Sequence, residues 1–176
     1  MNRVRLEEDN LNFDFIDFLN AEKFDDDNKN AKGLFPVDFI AENTEYMYFI
    51  EVKDFQHPKA TTQRRMEDYE MLTGKDVKGN SIFAIKMGGK IKDSLLRKFA
   101  SGYKFTKDVI YLLFINLDNL GTYERGRLKE KINNGYIPVG LDDGRFCEFT
   151  RISFDLVNAE QLKKYGITCT ANKNTV

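Results

Sequence analysis

The chain has 176 residues, 41% of them hydrophobic and 13% aromatic, with 27 Lys and Arg against 28 Asp and Glu and a single histidine. That length fits one domain able to bury about 70% of the surface its unfolded chain exposes, and the aromatic content argues against disorder. One histidine and two cysteines without metal spacing exclude a histidine-rich zinc centre and disfavour a histidine-based triad, so any metal is expected to be oxygen-ligated.

The longest apolar run, residues 109–115, is seven residues, well short of the roughly 20 that span a bilayer. The first residues turn acidic where a secretory leader would turn apolar, so a reducing, cytoplasmic setting is expected. The near-zero net charge hides an asymmetry: residues 1–54 carry 6 basic and 14 acidic groups, and residues 55–135 carry 16 and 9. An acidic first third can supply metal ligands and a basic middle can supply a phosphate-binding face. Two solvated faces of opposite sign would look the same.

Residues 8–22 mix two periods. Leu11, Phe15, Phe18 and Leu19 suit one face of a helix, Phe13 and Phe15 alternate like a strand, and we read a helix. A polar loop follows to Gly33. Residues 34–41 and 46–53 are aromatic and β-branched and are joined by a hairpin-length turn, so they read as two strands. His57-Pro58 ends the second strand. Residues 61–72 suit a polar helix, and residues 81–103 a long one interrupted or bent at Gly88-Gly89, with Ile91, Leu95 and Phe99 facing the core. Residues 108–117, apolar on both faces, predict a central strand. A charged helix over 123–133 is expected to end at Asn134-Gly135, and a strand over 146–156 follows. Asn158 with Gln161 three residues on predicts a capping box for a short helix stopping at Gly166. The organisation expected is one domain over residues 1–169 and a loose tail over 170–176.

The chemistry concentrates in Asp38 and in Glu51-Val52-Lys53. Along the second strand Phe49, Glu51 and Lys53 leave one face, so two opposite charges share the face of an otherwise apolar strand. A buried charge costs several kcal/mol unless it is paired or metal-bound. The hairpin turn carries Asp38 back beside Glu51, and a neighbouring Asp and Glu make an oxygen site suited to magnesium or manganese. The bland alternative is a Glu51–Lys53 ion pair at a strand end with Asp38 on an exposed edge.

Asp38 followed by Glu51-Val52-Lys53 on the next strand resembles the PD-(D/E)xK nuclease superfamily, also called restriction-endonuclease-like. The resemblance spans residues 10–117 and rests on three residues, with Pro36 two positions ahead of Asp38. It implies an α/β fold whose central mixed β-sheet is flanked by helices in the order αβββαβ. It further implies that Asp38 and Glu51 hold Mg2+ or Mn2+, with the carbonyl of Val52 as a third ligand, and that Lys53 assists the attacking water. Many members add an acid from the first helix, for which Glu8, Asp14, Asp17 and Glu22 compete.

For phosphate contacts the basic segment offers Arg64, Arg65, Lys90, Lys92, Arg97 and Lys98, with Lys90 and Lys92 nearest the expected site. His57, four residues beyond Lys53, is expected to be a turn residue. The resulting expectation is a metal-dependent nuclease acting on DNA, or secondarily RNA, with no membrane partner and with homodimerisation as a route to cutting both strands. A catalytically silent nuclease-like module that binds nucleic acid or protein is the alternative, and an unrelated α/β protein with an incidental ion pair is a third reading.

Overall fold

Alternation decides the first part of the chain. In the computed structural model, which describes residues 3–26, 33–118, 120–137 and 150–172, strands β1 (Arg3–Glu8) and β2 (Leu11–Ile16) form an antiparallel hairpin. Leu11, Phe13 and Phe15 of β2 are buried, as a period of two demands. The two-residue link Asp9-Asn10 places Asp9 at φ +51°, a conformation that Asp and Asn tolerate better than most residues. The helix expected over residues 8–22 is therefore not formed. A helical face of Leu11, Phe15, Phe18 and Leu19 would have left Phe13 outside, whereas Phe13 is sealed and Leu19 is exposed.

Strands β3 (Asn20–Lys23), β4 (Phe39–Glu42) and β5 (Tyr46–Asp54) form an antiparallel meander. The β4–β5 turn is set by Asn43, whose Oδ1 accepts hydrogen bonds from the amides of Glu45 and Tyr46 at 2.9 and 2.7 Å. Helices α1 (Thr62–Thr73) and α2 (Ile82–Ala100) then cross over to β6 (Asp108–Asn116), which lies parallel to β5. Helix α3 (Thr122–Tyr136) leads to β7 (Ile152–Val157), parallel to β6, completing a five-stranded sheet ordered β3-β4-β5-β6-β7. The short α4 (Ala159–Leu162) and β8 (Ile167–Ala171) close the chain, with β8 pairing on β2 in a second sheet ordered β1-β2-β8.

The protein is thus mixed α/β, with two sheets and four α-helices among the described residues. On one face of the large sheet, Met47, Phe49, Tyr111 and Leu113 pack against Phe83, Met87 and Ile91 of α2 and Ile132 of α3. On the other, Tyr48, Ile50, Leu112 and Phe114 pack against Phe13 and Phe15 of the small sheet and Leu162 of α4. Burial on both faces explains the unbroken apolar run of β6.

Several expectations are corrected by packing. Helix α2 is continuous across Gly88-Gly89, so no interruption occurs there, and Gly88 is where Tyr136 of α3 comes closest. Helix α3 continues to Tyr136, past the expected stop at 134–135. Residues 34–38 precede the strand because their amides are used by α2: Phe35 donates to Asp93 Oδ2 and Val37 to Ser94 Oγ, each at 2.9 Å. Residues 170–171, expected in a loose tail, belong to β8 and pair with Asn12 and Leu11. Strand β7 begins at Ile152, and residues 146–149 of the expected strand lie outside the described residues, as do 173–176. The meander, the crossover and the parallel β6 follow the expected order, but a hairpin stands where αβββαβ puts its first helix. The Asn158–Gln161 capping box is present, and Gly166 ends the turn at φ +73°.

Candidate functional site

The β4–β5 register pairs Phe39 with Ile50, so the next positions outward are Asp38 and Glu51. Asp38 is buried and is held by the Val52 amide, which donates to its Oδ2 at 2.6 Å. In a strand the N–H and C=O of one residue leave on the same side, so the Val52 carbonyl faces the same edge as Asp38. Glu51 is fully buried in the middle of the sheet, between β4 and β6.

Two ammonium groups meet it. Lys53 Nζ lies 2.5 Å from Glu51 Oε1, and Lys90 Nζ, arriving from α2, lies 3.4 Å from Oε2. Both approach at ion-pair distance but outside hydrogen-bonding geometry, so neither sealed Glu51 oxygen accepts a hydrogen bond from the described residues. Lys90 is oriented by donating to the Pro36 carbonyl at 2.9 Å, with Asp25 Oδ2 at 3.4 Å.

Burial and the neighbouring Glu51 charge push the Asp38 carboxyl up to about 7, against the pull of Lys53, Lys90 and the Val52 amide. Burial pulls the Lys53 ammonium down, but the charges of Glu51 and Asp38 and the close approach to Glu51 outweigh it, so Lys53 stays protonated above its ordinary range. Two carboxylates that each want a positive neighbour thus face two lysines.

The four acids proposed for a first helix separate cleanly. Glu8, at the end of β1, is the one placed beside the site: burial and then the Asp38 charge push its carboxyl up, while Lys23 at 3.0 Å holds it. Asp14 is turned away into a clamp, its two oxygens 2.6 Å from Arg3 and 2.8 Å from Arg5. Asp17 sits exposed at φ +61°, and Glu22 is exposed, 3.9 Å from Lys98.

Of the basic residues, Lys90 joins the site and Lys92 does not. Lys92 is exposed two residues further along α2, about 200° around the helix. Arg97 lies over the Phe24 ring, 4.2 Å from its centroid, and donates to the Phe24 carbonyl; Arg64 pairs with Asp9 at 3.3 Å, and Arg65 is exposed. Lys98 pairs with Glu22 and lies 5.1 Å from the Tyr103 ring centroid. His57 is a turn residue, its Nδ1 accepting from the Lys59 amide at 3.2 Å. Lys23, the last residue of β3, and Asp25, just beyond it, complete the charged surround and were missed because no local pattern records which distant charges a strand end meets.

A hard divalent cation fits this donor set. Asp38 and Glu51 offer carboxylate oxygens, and those of Glu51 are sealed from solvent with Lys53 and Lys90 as their ion-pair partners. Among the described residues no group of three or more His, Cys, Asp or Glu is placed to hold a metal. No described helix is long and apolar enough to cross a membrane. No family model matches the chain, and neither does any curated protein or solved structure.

Proposed function

We propose that the protein is a metal-dependent nuclease, hydrolysing phosphodiester bonds in DNA and secondarily RNA, with Asp38 and Glu51 holding Mg2+ or Mn2+. The observation that carries the reading is the sealed Glu51 carboxylate, without a hydrogen bond, beside a second carboxylate and within reach of two ammonium groups at a strand end. When bound, the cation would neutralise phosphate charge and acidify the attacking water. Asp38 is pre-aimed by the Val52 amide, so its free oxygen and the Val52 carbonyl present one edge to the ligand. Lys53, held protonated, donates to the water or to a non-bridging phosphate oxygen, stabilising charge that grows in the transition state. Lys90 supplies a second positive charge from the helix side. Cutting both strands of a duplex would call for two copies of the chain.

A second reading has its own observation. Lys53 and Lys90 already balance Asp38 and Glu51, so the cluster can stand as a closed structural network in a non-hydrolytic binding module. A cleavage panel of supercoiled plasmid, single-stranded DNA, branched DNA and RNA, with magnesium or manganese, separates the two. Wild type is expected to cleave, and Lys53→Ala to lose about 100-fold or more while retaining its fold. A silent wild type that also shows no magnesium binding by calorimetry overturns the nuclease reading in favour of the module.

A further inference from the structure

Asp54, the last residue of β5, is next to Lys53 in sequence but leaves the opposite face of the sheet. Its register partner is Asn116, the last residue of β6, so the two polar side chains stand together at the carboxyl ends of two parallel strands. Here a cleft of about 380 Å³ opens between these strand ends and β8, with Leu11, Phe114 and Cys169 among the residues lining it.

The polar side of this cleft is directional. Asp54 Oδ1 accepts from Asn116 Nδ2 at 2.7 Å and from the Gln56 amide at 3.1 Å. Asp54 Oδ2 accepts no hydrogen bond from the described residues, although the residue is only 6% exposed. The Asn116 carboxamide, its Nδ2 committed to Asp54, also lines the cleft. The unpartnered Asp54 oxygen is therefore an acceptor at the cleft, and the Gln56 carboxamide at the rim can donate or accept. Leu11 and Phe114 form an apolar floor. The Cys169 thiol is pushed up to about 12 by burial and by the Asp54 charge, so it lines the cleft as a protonated wall.

We infer that this cleft between the ends of β5, β6 and β8 holds a nucleobase carrying an exocyclic amine. The apolar floor suits the face of a base. Adenine, cytosine and guanine bring an amino group that can donate to the Asp54 oxygen, whereas thymine and uracil bring carbonyl oxygens against it. That a base here belongs to a strand whose phosphate lies at Glu51 and Lys53 rests on the nuclease reading; the binding itself does not.

The test titrates deoxyadenosine, deoxycytidine, deoxyguanosine and thymidine into the full chain in EDTA, followed by NMR chemical-shift changes at Gln56, Asn116 and Cys169. At least one amine-bearing nucleoside is expected to bind about tenfold more tightly than thymidine. Asp54→Asn is expected to abolish that preference. Ala171→Leu, at the exposed end of β8, narrows the cleft without touching a buried hydrogen bond and is expected to weaken binding about tenfold. No binding at millimolar nucleoside, thymidine binding as well as the others, a preference that survives in folded Asp54→Asn, or undiminished binding to folded Ala171→Leu overturns the inference. Because EDTA removes the cation, cleavage without base binding would fail this site alone, and base binding without cleavage would fail the nuclease reading alone.

Discussion

Asp14 and Asp38 are both buried carboxylates, and their surroundings drive them in opposite directions. Hydrogen bonds from Arg3 and Arg5 hold Asp14 well below the usual carboxylate range. A depressed acid stabilises the fold above its unfolded pKa, and that contribution is lost as pH falls towards the folded value. Asp14→Asn should therefore be less stable than wild type in urea unfolding at pH 7, with the gap closing below about pH 4. Both arginines are more than half exposed, so salt should also narrow the gap. Asp38 behaves in the reverse sense. Its folded pKa is raised to about 7, so the native state binds more protons than the unfolded chain between about pH 4 and 7. The metal-free protein is expected to lose stability as pH rises through that window, by up to a few kcal/mol. Asp38→Asn should flatten the dependence and abolish any magnesium-induced rise in Tm.

At the level of elements, two adjacent glycines in α2 make contrasting demands. A Cβ on Gly88 would meet the Tyr136 Cβ at 2.4 Å and its carbonyl oxygen at 2.7 Å, so α2 and α3 could not keep their approach. A Cβ on Gly89 meets nothing within 4 Å. Gly88→Ala should destabilise by about 1–3 kcal/mol through overpacking, and Gly89→Ala should stabilise by up to about 1 kcal/mol through helix propensity. Denaturant midpoints of the two variants decide the matter, and equal effects would mean the close approach is wrong. From sequence the pair read as a bend, because a glycine needed for contact and a glycine tolerated by chance look alike. The β1–β2 hairpin was more legible than our reading allowed. Arg3-Val4-Arg5-Leu6 and Leu11-Asn12-Phe13-Asp14-Phe15 alternate on both sides of a two-residue Asp9-Asn10 link, the length of a tight hairpin. Phe18 and Leu19 supplied the false helical period: Phe18 is buried by the chain's reversal into β3, and Leu19 is not buried at all.

Across the whole molecule, β8 returns to the N-terminal hairpin and makes β2 the centre of the small sheet, with Ile167 fully buried. Deleting residues 167–176 removes that ladder and its core side chain and leaves β2 as an open edge beneath Phe13 and Phe15. The truncation should cost several kcal/mol, a large share of a typical domain's 5–15, and increase aggregation on heating. A cooperative melt within about 2 °C of wild type would show that β8 is peripheral.

What the sequence by itself determined follows from local physics. Period-two runs and the Asn43 turn specify β4 and β5 and hence the meeting of Asp38 with Glu51 and Lys53, because a hairpin's register is set by its turn and its buried face. The apolar run of β6 and the Asn158–Gln161 box are legible for the same reason. Only the tertiary structure decided that Lys90 reaches Glu51, that Glu8 lies beside Asp38 while Asp14 turns to its arginines, and that Asp54 and Asn116 share a cleft with β8. Apart from the Asp14 clamp, which closes across one hairpin, those contacts join residues tens to more than a hundred positions apart. Which distant surfaces meet is chosen by burying both faces of one sheet at once, and no local period records that choice.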